Sequence, residues 1–432
     1  MSSRVLKAES ELRCEVSEGE VLGVKLVKGA CELFGIELFL NKEYSFHDEN
    51  IALFTWYGCT LEISGNCSHE KLYESDKTPM VSYVNTHMQL EAKRDVALAN
   101  GDNGPRVLIV GPNDSCKSTT ARILTAYAAR LDRSPMYVDL DAPQGLVGFP
   151  GCIAAVPVEK TGINIDDGFS TFMPLLYYLG NTSITTSNID LYKSLVTLLA
   201  NKIQQRLDND ADSRASGIIM NTMGWSDNSG YEILLQCINH YVSVFSVDVV
   251  LVMGHDRLYS SLTSTFGSTG NVTVVNLPHS GGVVKRDADT RRRVVRNRIK
   301  EYFYGPYRLR STITTLSPHR QDLRLSSLNM YRIGGFQLSE GMRLIGDSSS
   351  SNDTALTKLV PSLDLKNSIA AVLHASSEES EQESLLEHSN VAGFIWIAHI
   401  DLEQDTITTL LPCPGLLPNN ISLVVGAMKY ID

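Results

Sequence analysis

Gly111-Pro-Asn-Asp-Ser-Cys-Lys-Ser-Thr119 has the residue types and spacing of a phosphate-binding loop, with one exception. Gly111, Lys117 and Ser118 hold three of the fixed positions, and Cys116 stands where a second glycine belongs. Such a loop wraps backbone N–H groups around a triphosphate, its lysine neutralises the outer phosphates and its serine hydroxyl helps hold Mg2+. A glycine at the exchanged position lets the backbone pass close to the phosphates in a dihedral that disfavours a Cβ. The cysteine therefore predicts weakened rather than abolished ATP binding, and a thiol of lowered pKa beside a helix N-terminus.

Further groups could complete a phosphate site. Asp139-Leu-Asp141 ends a strand-like run, and in a doubly wound sheet a carboxylate at that end faces the ligand. Asp141 either orients Mg2+ and accepts a proton from an attacking hydroxyl, or merely caps a helix. Gln144 follows closely enough to touch the same phosphates. Lys285–Lys300 holds eight basic residues against two acidic ones. It is either a solvated helix face or a lid whose arginines close on phosphate, with Gly281-Gly282 as its hinge. Eight like charges gain nothing in a core, so Arg286 and Arg291 are expected to act on lid closure and not on folding, leaving apo stability unchanged in their alanine variants. Trp225, emerging after the apolar run that ends at Asn221, either stacks a nucleic-acid base or is buried in a core.

These residues need elements to position them. Val107–Val110 is a short apolar run, and Leu124, Ala128 and Leu131 recur at helical spacing after the loop, giving strand, loop, helix. Met136–Leu140, Gly217–Asn221, Val247–Val252 and Val272–Leu277 are further β-prone runs separated by helix-length segments, the pattern of a parallel α/β sheet. The first ninety or so residues read as all-β, with short runs such as Val24–Val27, Cys31–Phe34 and Leu53–Trp56 punctuated by glycines, and predict a β-sandwich. After Gly305 short strands return, including Phe394–Ala398 and Thr406–Leu410, with polar loops expected at Asp347–Ser351 and Glu378–Glu383. The expected fold is α/β: a central phosphate-loop domain with a parallel sheet (99–305), flanked by an N-terminal β-sandwich (1–98) and a small C-terminal α+β domain (306–432).

With 43% hydrophobic and 20% charged residues the composition is that of an ordinary globular protein. A net charge of −11 argues against broad nonspecific nucleic-acid binding and makes any basic site local. No stretch approaches the length needed to span a bilayer, the N-terminus lacks the apolar core of a secretory signal, and no membrane partner is expected. Eight cysteines without a CxxC indicate neither a zinc site nor a disulfide framework, and suit a reducing compartment.

The pieces together resemble the polynucleotide 5′-hydroxyl kinase family, and most closely its eukaryotic branch, the Clp-type ATP-binding subunit of the pre-mRNA cleavage and polyadenylation factor. The resemblance is carried by Glu9-Ser-Glu-Leu-Arg13, Phe54-Thr-Trp-Tyr-Gly58, Thr78-Pro-Met80, Ser280-Gly-Gly-Val-Val284, Glu301-Tyr-Phe-Tyr-Gly305, Val391-Ala-Gly-Phe394 and Leu411-Pro-Cys-Pro414. It implies a three-domain protein that binds ATP with Mg2+ across two domains, works in the nucleus, and bridges a scaffold subunit to other 3′-end-processing proteins. RNA 5′-end phosphorylation is implied for some members. By position, Glu11 matches an acidic residue at the adenine edge and Asn50 falls near a lysine beside the base. Asp114, Ser115, Cys116, Lys117, Ser118 and Thr119 match the phosphate cradle, and Ser118 and Asp141 the metal side. Asp141 also matches the presumed base, with Lys117, Arg286 and Arg291 as its catalytic company, and Trp225 the residue that stacks RNA. Cys116, Asn50 and Pro143 depart from the family pattern at nucleotide or metal positions. They predict a subunit that holds ATP with little turnover, with an active RNA 5′-hydroxyl kinase as the alternative.

Overall fold

In the computed structural model, residues 2–145, 147–166, 174–225, 228–267, 270–305, 317–333, 356–376, 389–415, 417 and 421–431 are described. The two polar loops expected at 347–351 and 378–383 lie outside them.

The central sheet orders its strands Leu175–Tyr178, Cys152–Pro157, Met136–Asp139, Ile218–Asn221, Arg106–Val110, Val249–Met253 and Thr273–Leu277. The last five run parallel and the first two are antiparallel additions at one edge. Alternation along Arg106–Val110 divides the core. Val107 and Ile109 face helices α1 (Met80–Asn100) and α2 (Lys117–Arg130). Leu108 and Val110 face α3 (Ile189–Asn209) and α5 (Asn228–Phe245), with α4 (Ala211–Ser216) between those two in the chain. Two more helices follow, α6 (Asp256–Phe266) and α7 (Ala288–Tyr304). Because the five strands are parallel, the loops after Val110, Asp139, Asn221, Met253 and Leu277 gather at one edge, where a doubly wound sheet binds its ligand.

Expected all-β, the N-terminal stretch is so only to Ser75; helix α1 begins at Met80. Its buried face is Met80, Tyr83, His87, Leu90, Glu91, Arg94 and Ala97, while Val81, Met88 and Val96 are exposed. A helix that buries an ion pair and turns valines outward carries no apolar periodicity for the sequence to reveal. Before it, four strands (order Ser2–Leu6, Cys59–Gly65, Val21–Gly29, Glu43–His47) and five (order Ile36–Glu37, Glu32–Leu33, Asn50–Thr55, Ser10–Glu15, Leu72–Ser75) form a sandwich over Leu12, Leu22, Leu53 and Leu61.

The C-terminal part is a seven-stranded sheet with short 3-10 turns among its described residues. Helix α7 covers one face: Ile299 and Phe303 join Phe149, Tyr178, Phe394 and Trp396 in one core, and Phe149 stacks on Phe394 at 4.0 Å between centroids. The C-terminal sheet thus fixes the far end of the helix whose near end overlies the phosphate loop.

Candidate nucleotide site

The loop after Val110 has the shape of an anion cradle. Asp114 and Cys116 both take left-handed backbone conformations, with φ of 53° and 65°. Alternating handedness turns successive N–H groups into one concavity. Two glycines are required by close approach: a Cβ on Gly111 would lie 2.7 Å from Ser115 Oγ, and one on Gly224 would lie 2.8 Å from Lys117 Nζ. Cys116 is the residue before α2, and its Cβ is tolerated, as expected, only in a conformation that favours glycine. Its thiol is pushed up by burial, against the hydrogen bond it receives from the Ser280 backbone. This corrects the expected lowering, because here desolvation outweighs the helix terminus.

Lys117 Nζ donates to the Pro112 carbonyl at 2.7 Å and Ser115 Oγ to the same oxygen at 2.8 Å. Asp141 is buried two residues past the strand that ends at Asp139, and its Oδ2 accepts from Gln144 Nε2 at 2.8 Å. Burial and the neighbouring Asp139 push the Asp141 pKa up to about 7, against Lys117 and Arg286. Burial pushes Lys117 down to about 8, against Asp141 and Asp114. Asn221, not among the residues singled out by type and spacing, joins the strands. Its Nδ2 donates to Asp139 Oδ1 at 3.0 Å and its Oδ1 accepts from Ser118 Oγ at 3.3 Å. The only signal was its place at a strand's carboxyl end.

The basic segment, the candidate lid, lies over the loop. Asp287 caps α7, accepting from the Thr290 N–H at 2.7 Å. Asp114 Oδ1 accepts from Arg286 Nε at 2.9 Å, its Oδ2 from the Arg286 N–H at 3.1 Å, and Arg291 pairs with the same carboxylate. Burial opposes ionisation of Asp114, but the Arg286 amide and both guanidinium groups hold its pKa below the usual range. Arg286 Nη1 also donates to Gln144 Oε1 at 3.2 Å. Both arginines thus join this segment to the loop through Asp114, contacts the charge pattern alone did not show. Further along, Arg293 pairs with Asp48 at 3.2 Å and Asn297 donates to the same carboxylate at 3.0 Å, clasping the lid to the β-sandwich.

Loop, lid and β-sandwich enclose one cleft of about 1340 Å3. Glu11 and Asn50 line its β-sandwich wall, Asp114 to Thr119 its floor, and Gln144 and Arg286 its far side. Glu11 is buried, whereas Asn50 is exposed at the start of its strand. Trp225 is half-buried between Tyr231 and His255, with centroids 5.3 and 5.2 Å away, and its carbonyl accepts from the Asn113 N–H. It thus sits partly in a core and next to the loop. Among the described residues no group of three or more His, Cys, Asp or Glu could hold a metal ion. No helix among the described residues is long and apolar enough to cross a membrane.

A phosphate loop on a parallel sheet, with a basic lid above and a β-sandwich beside, defines a phosphate-loop protein of the kinase-like class. Residues 111–305 match the family described as mRNA cleavage and polyadenylation factor CLP1 P-loop. Residues 5–97 match the N-terminal beta-sandwich domain of polyadenylation factor, and 316–432 match Pre-mRNA cleavage complex II protein Clp1. Protein CLP1 homolog of Dictyostelium discoideum is 40% identical over 432 residues, covering 99% of this chain and 90% of its own. Polyribonucleotide 5'-hydroxyl-kinase Clp1 of Homo sapiens is 39% identical over 428 residues, covering 99% and 96%. The fold is also that of the structure described as wild-type Clp1p-Pcf11p (454 -563) complex, with a TM-score of 0.82 at 24% identity, covering 100% of this chain and 98% of that one. The chain belongs to the Clp1 family of mRNA cleavage and polyadenylation factors.

Proposed function

We propose that this chain is the ATP-holding subunit of a nuclear pre-mRNA 3′-end cleavage complex, in which bound Mg2+·ATP fixes a shape that a scaffold subunit recognises. The observation that carries this is the origin of the cleft walls in three parts of the chain, the β-sandwich, the phosphate loop and the lid. A ligand touching all three stabilises their mutual arrangement by its binding free energy. Lys117 and the loop amides would hold the phosphates, Ser118 and Asp141 the Mg2+, and Glu11 the adenine edge, with Asn50 on the same wall. The solved neighbour in complex with a Pcf11p segment supports a scaffold of that kind as the partner. A pull-down of the purified chain by the corresponding scaffold segment, with and without Mg2+·ATP, tests it. Retention that rises with ATP is expected, and equal retention would refute the locking role.

A second function is favoured by Asp141. A buried carboxyl with a pKa near 7, beside a phosphate loop, is suited to take a proton from a hydroxyl. Asp141 would then serve a 5′-hydroxyl on RNA stacked on Trp225, positioned with Gln144, while Arg286 and Arg291 would leave Asp114 to stabilise the transferred phosphoryl group. Transfer of label from γ-labelled ATP to a 5′-hydroxyl RNA oligonucleotide decides between slow holding and brisk turnover.

A further inference from the structure

Three segments far apart in the chain, around Glu11–Arg13, Thr78 and Ser280–Gly282, meet at the base of the lid. Glu11 Oε1 accepts from Arg13 Nε at 2.6 Å and from Ser280 Oγ at 3.4 Å, and its Oε2 accepts from Thr78 Oγ1 at 2.9 Å. Ser280 Oγ also accepts from the Gly282 N–H at 3.2 Å, and the Ser280 backbone hydrogen-bonds the Cys116 sulfur. Arg13, with only 9% of its side chain exposed, is fixed further by the Lys77 carbonyl at 2.8 Å. A Cβ on Gly282 would lie 2.6 Å from Arg13 Cδ and 2.8 Å from its Nε. Neither Gly281 nor Gly282 takes a left-handed conformation, and at Gly282 the close approach of Arg13 is itself a reason for glycine.

We propose that this cluster is a relay from the base side of the cleft to the lid, with Arg13 and Ser280 as its positioning residues. It rests on the placing of a nucleotide base beside Glu11. A base carrying an exocyclic amino donor competes for the Glu11 carboxylate, and the contact that yields is the longest one, from Ser280 at 3.4 Å. Arg13 keeps the carboxylate in place while this happens. Released from Glu11, the Ser280 hydroxyl still accepts from the Gly282 N–H but no longer anchors that turn to the β-sandwich, and Arg286 lies four residues beyond, where it holds Asp114. Base occupancy and lid closure on phosphate are then coupled, and the coupling is reciprocal.

Calorimetry on the full chain with adenosine and with Mg2+·tripolyphosphate, alone and together, measures it. Amide hydrogen exchange over residues 280–286 is followed in parallel. In the native protein, saturating tripolyphosphate should change adenosine affinity by roughly fivefold or more, and adenosine alone should change exchange at 280–286. In R13Q and in S280A, tripolyphosphate should bind within about twofold of native while the coupling factor falls to about one. S280A removes one hydroxyl and keeps the test open should R13Q not fold. A native coupling factor of one with both ligands bound overturns the relay but leaves the nucleotide site standing, as does coupling that survives in S280A. Tripolyphosphate binding without any adenosine binding overturns the relay together with the placing of the base. Failure of tripolyphosphate to bind would count against the nucleotide site itself.

Discussion

Cys116 sits at φ 65°, where a side chain costs about 1–3 kcal/mol if the loop must keep its shape. It is also half-buried beside the core under α1 and α2 and bonded to Ser280, so the loop is not simply damaged. Cys116→Gly should tighten ATP binding by roughly tenfold. It should raise any 5′-hydroxyl phosphorylation further, since a shift of about 1 Å can cost ~100-fold in rate. Calorimetry and label transfer check this, and glycine variants that bind and react no better than native refute it. Burial makes the thiol slow toward alkylating agents, and ATP should protect it further. Asp141 gives a pH signature. Its folded pKa of about 7 lies above the ordinary 3.8, so the folded chain binds that proton more tightly than the unfolded one. The stability it contributes is full below about pH 4 and lost as pH rises through about 7. Lys117 has the opposite sign, its contribution being lost as pH falls through about 8. Without nucleotide, Asp141→Asn should therefore raise the melting temperature more at pH 8 than at pH 5. A larger gain at pH 5 would mean the carboxyl is not held neutral by burial.

The element whose behaviour matters most is α7. Its N-terminal turn is tied to the loop through Asp114, its middle to the β-sandwich through Asp48, and its C-terminal end to the C-terminal sheet, where the Tyr302 hydroxyl accepts from the Phe394 N–H at 2.9 Å. Arg286 and Arg291 are each about 30% exposed, so their pairs with Asp114 contribute modestly, about 1–2 kcal/mol together. Asp114→Asn should release the lid's first turn without unfolding the rest. Hydrogen exchange should speed up over residues 285–292 and stay unchanged over 299–304, where Ile299 and Phe303 remain in the core. Faster exchange along the whole helix would show that the Asp114 pairs, and not the C-terminal sheet, fix it.

At the scale of the molecule, the β-sandwich must be held against the central domain for the cleft to keep its shape. Glu32 does much of this: its buried carboxylate accepts from Tyr127 and, at 3.0 Å, from Arg130, both on α2. Burial raises the Glu32 pKa, against those two donors, so the carboxylate is present at a desolvation cost that they offset. Glu32→Ala leaves a buried phenol and a guanidinium without that partner and should cost about 2–3 kcal/mol. It should also weaken ATP binding, because the wall bearing Glu11 shifts. The three tryptophans lie one in each part, Trp56, Trp225 and Trp396, so fluorescence of single-tryptophan variants in denaturant can separate the transitions. A variant in which all three parts still unfold together at the native midpoint would show that Glu32 does not hold the interface.

The phosphate loop, its flanking strand and helix, and Asp141 were legible in the sequence because their spacing is dictated locally. One strand end, one turn and one helix N-terminus place them, and apolar runs such as Val107–Val110 announce the parallel sheet. The β-prone runs around Val24, Leu53 and Thr406 were legible for the same reason. Helix α1 was not, because its inward face carries Glu91 and Arg94, whose burial is made tolerable only by partners such as the Ser216 carbonyl and Arg133. Nor could any local pattern show that Asp114 holds the lid, that Asn221 bridges Ser118 to Asp139, or that Arg13 fills the space left by Gly282. These are contacts between residues tens to hundreds of positions apart, and a charge or hydroxyl has no partner until the chain has folded. The sequence by itself determined which chemistry the cleft could hold. Tertiary structure alone decided which of those groups face one another, because buried polar groups must find partners and packing settles which partners are within reach.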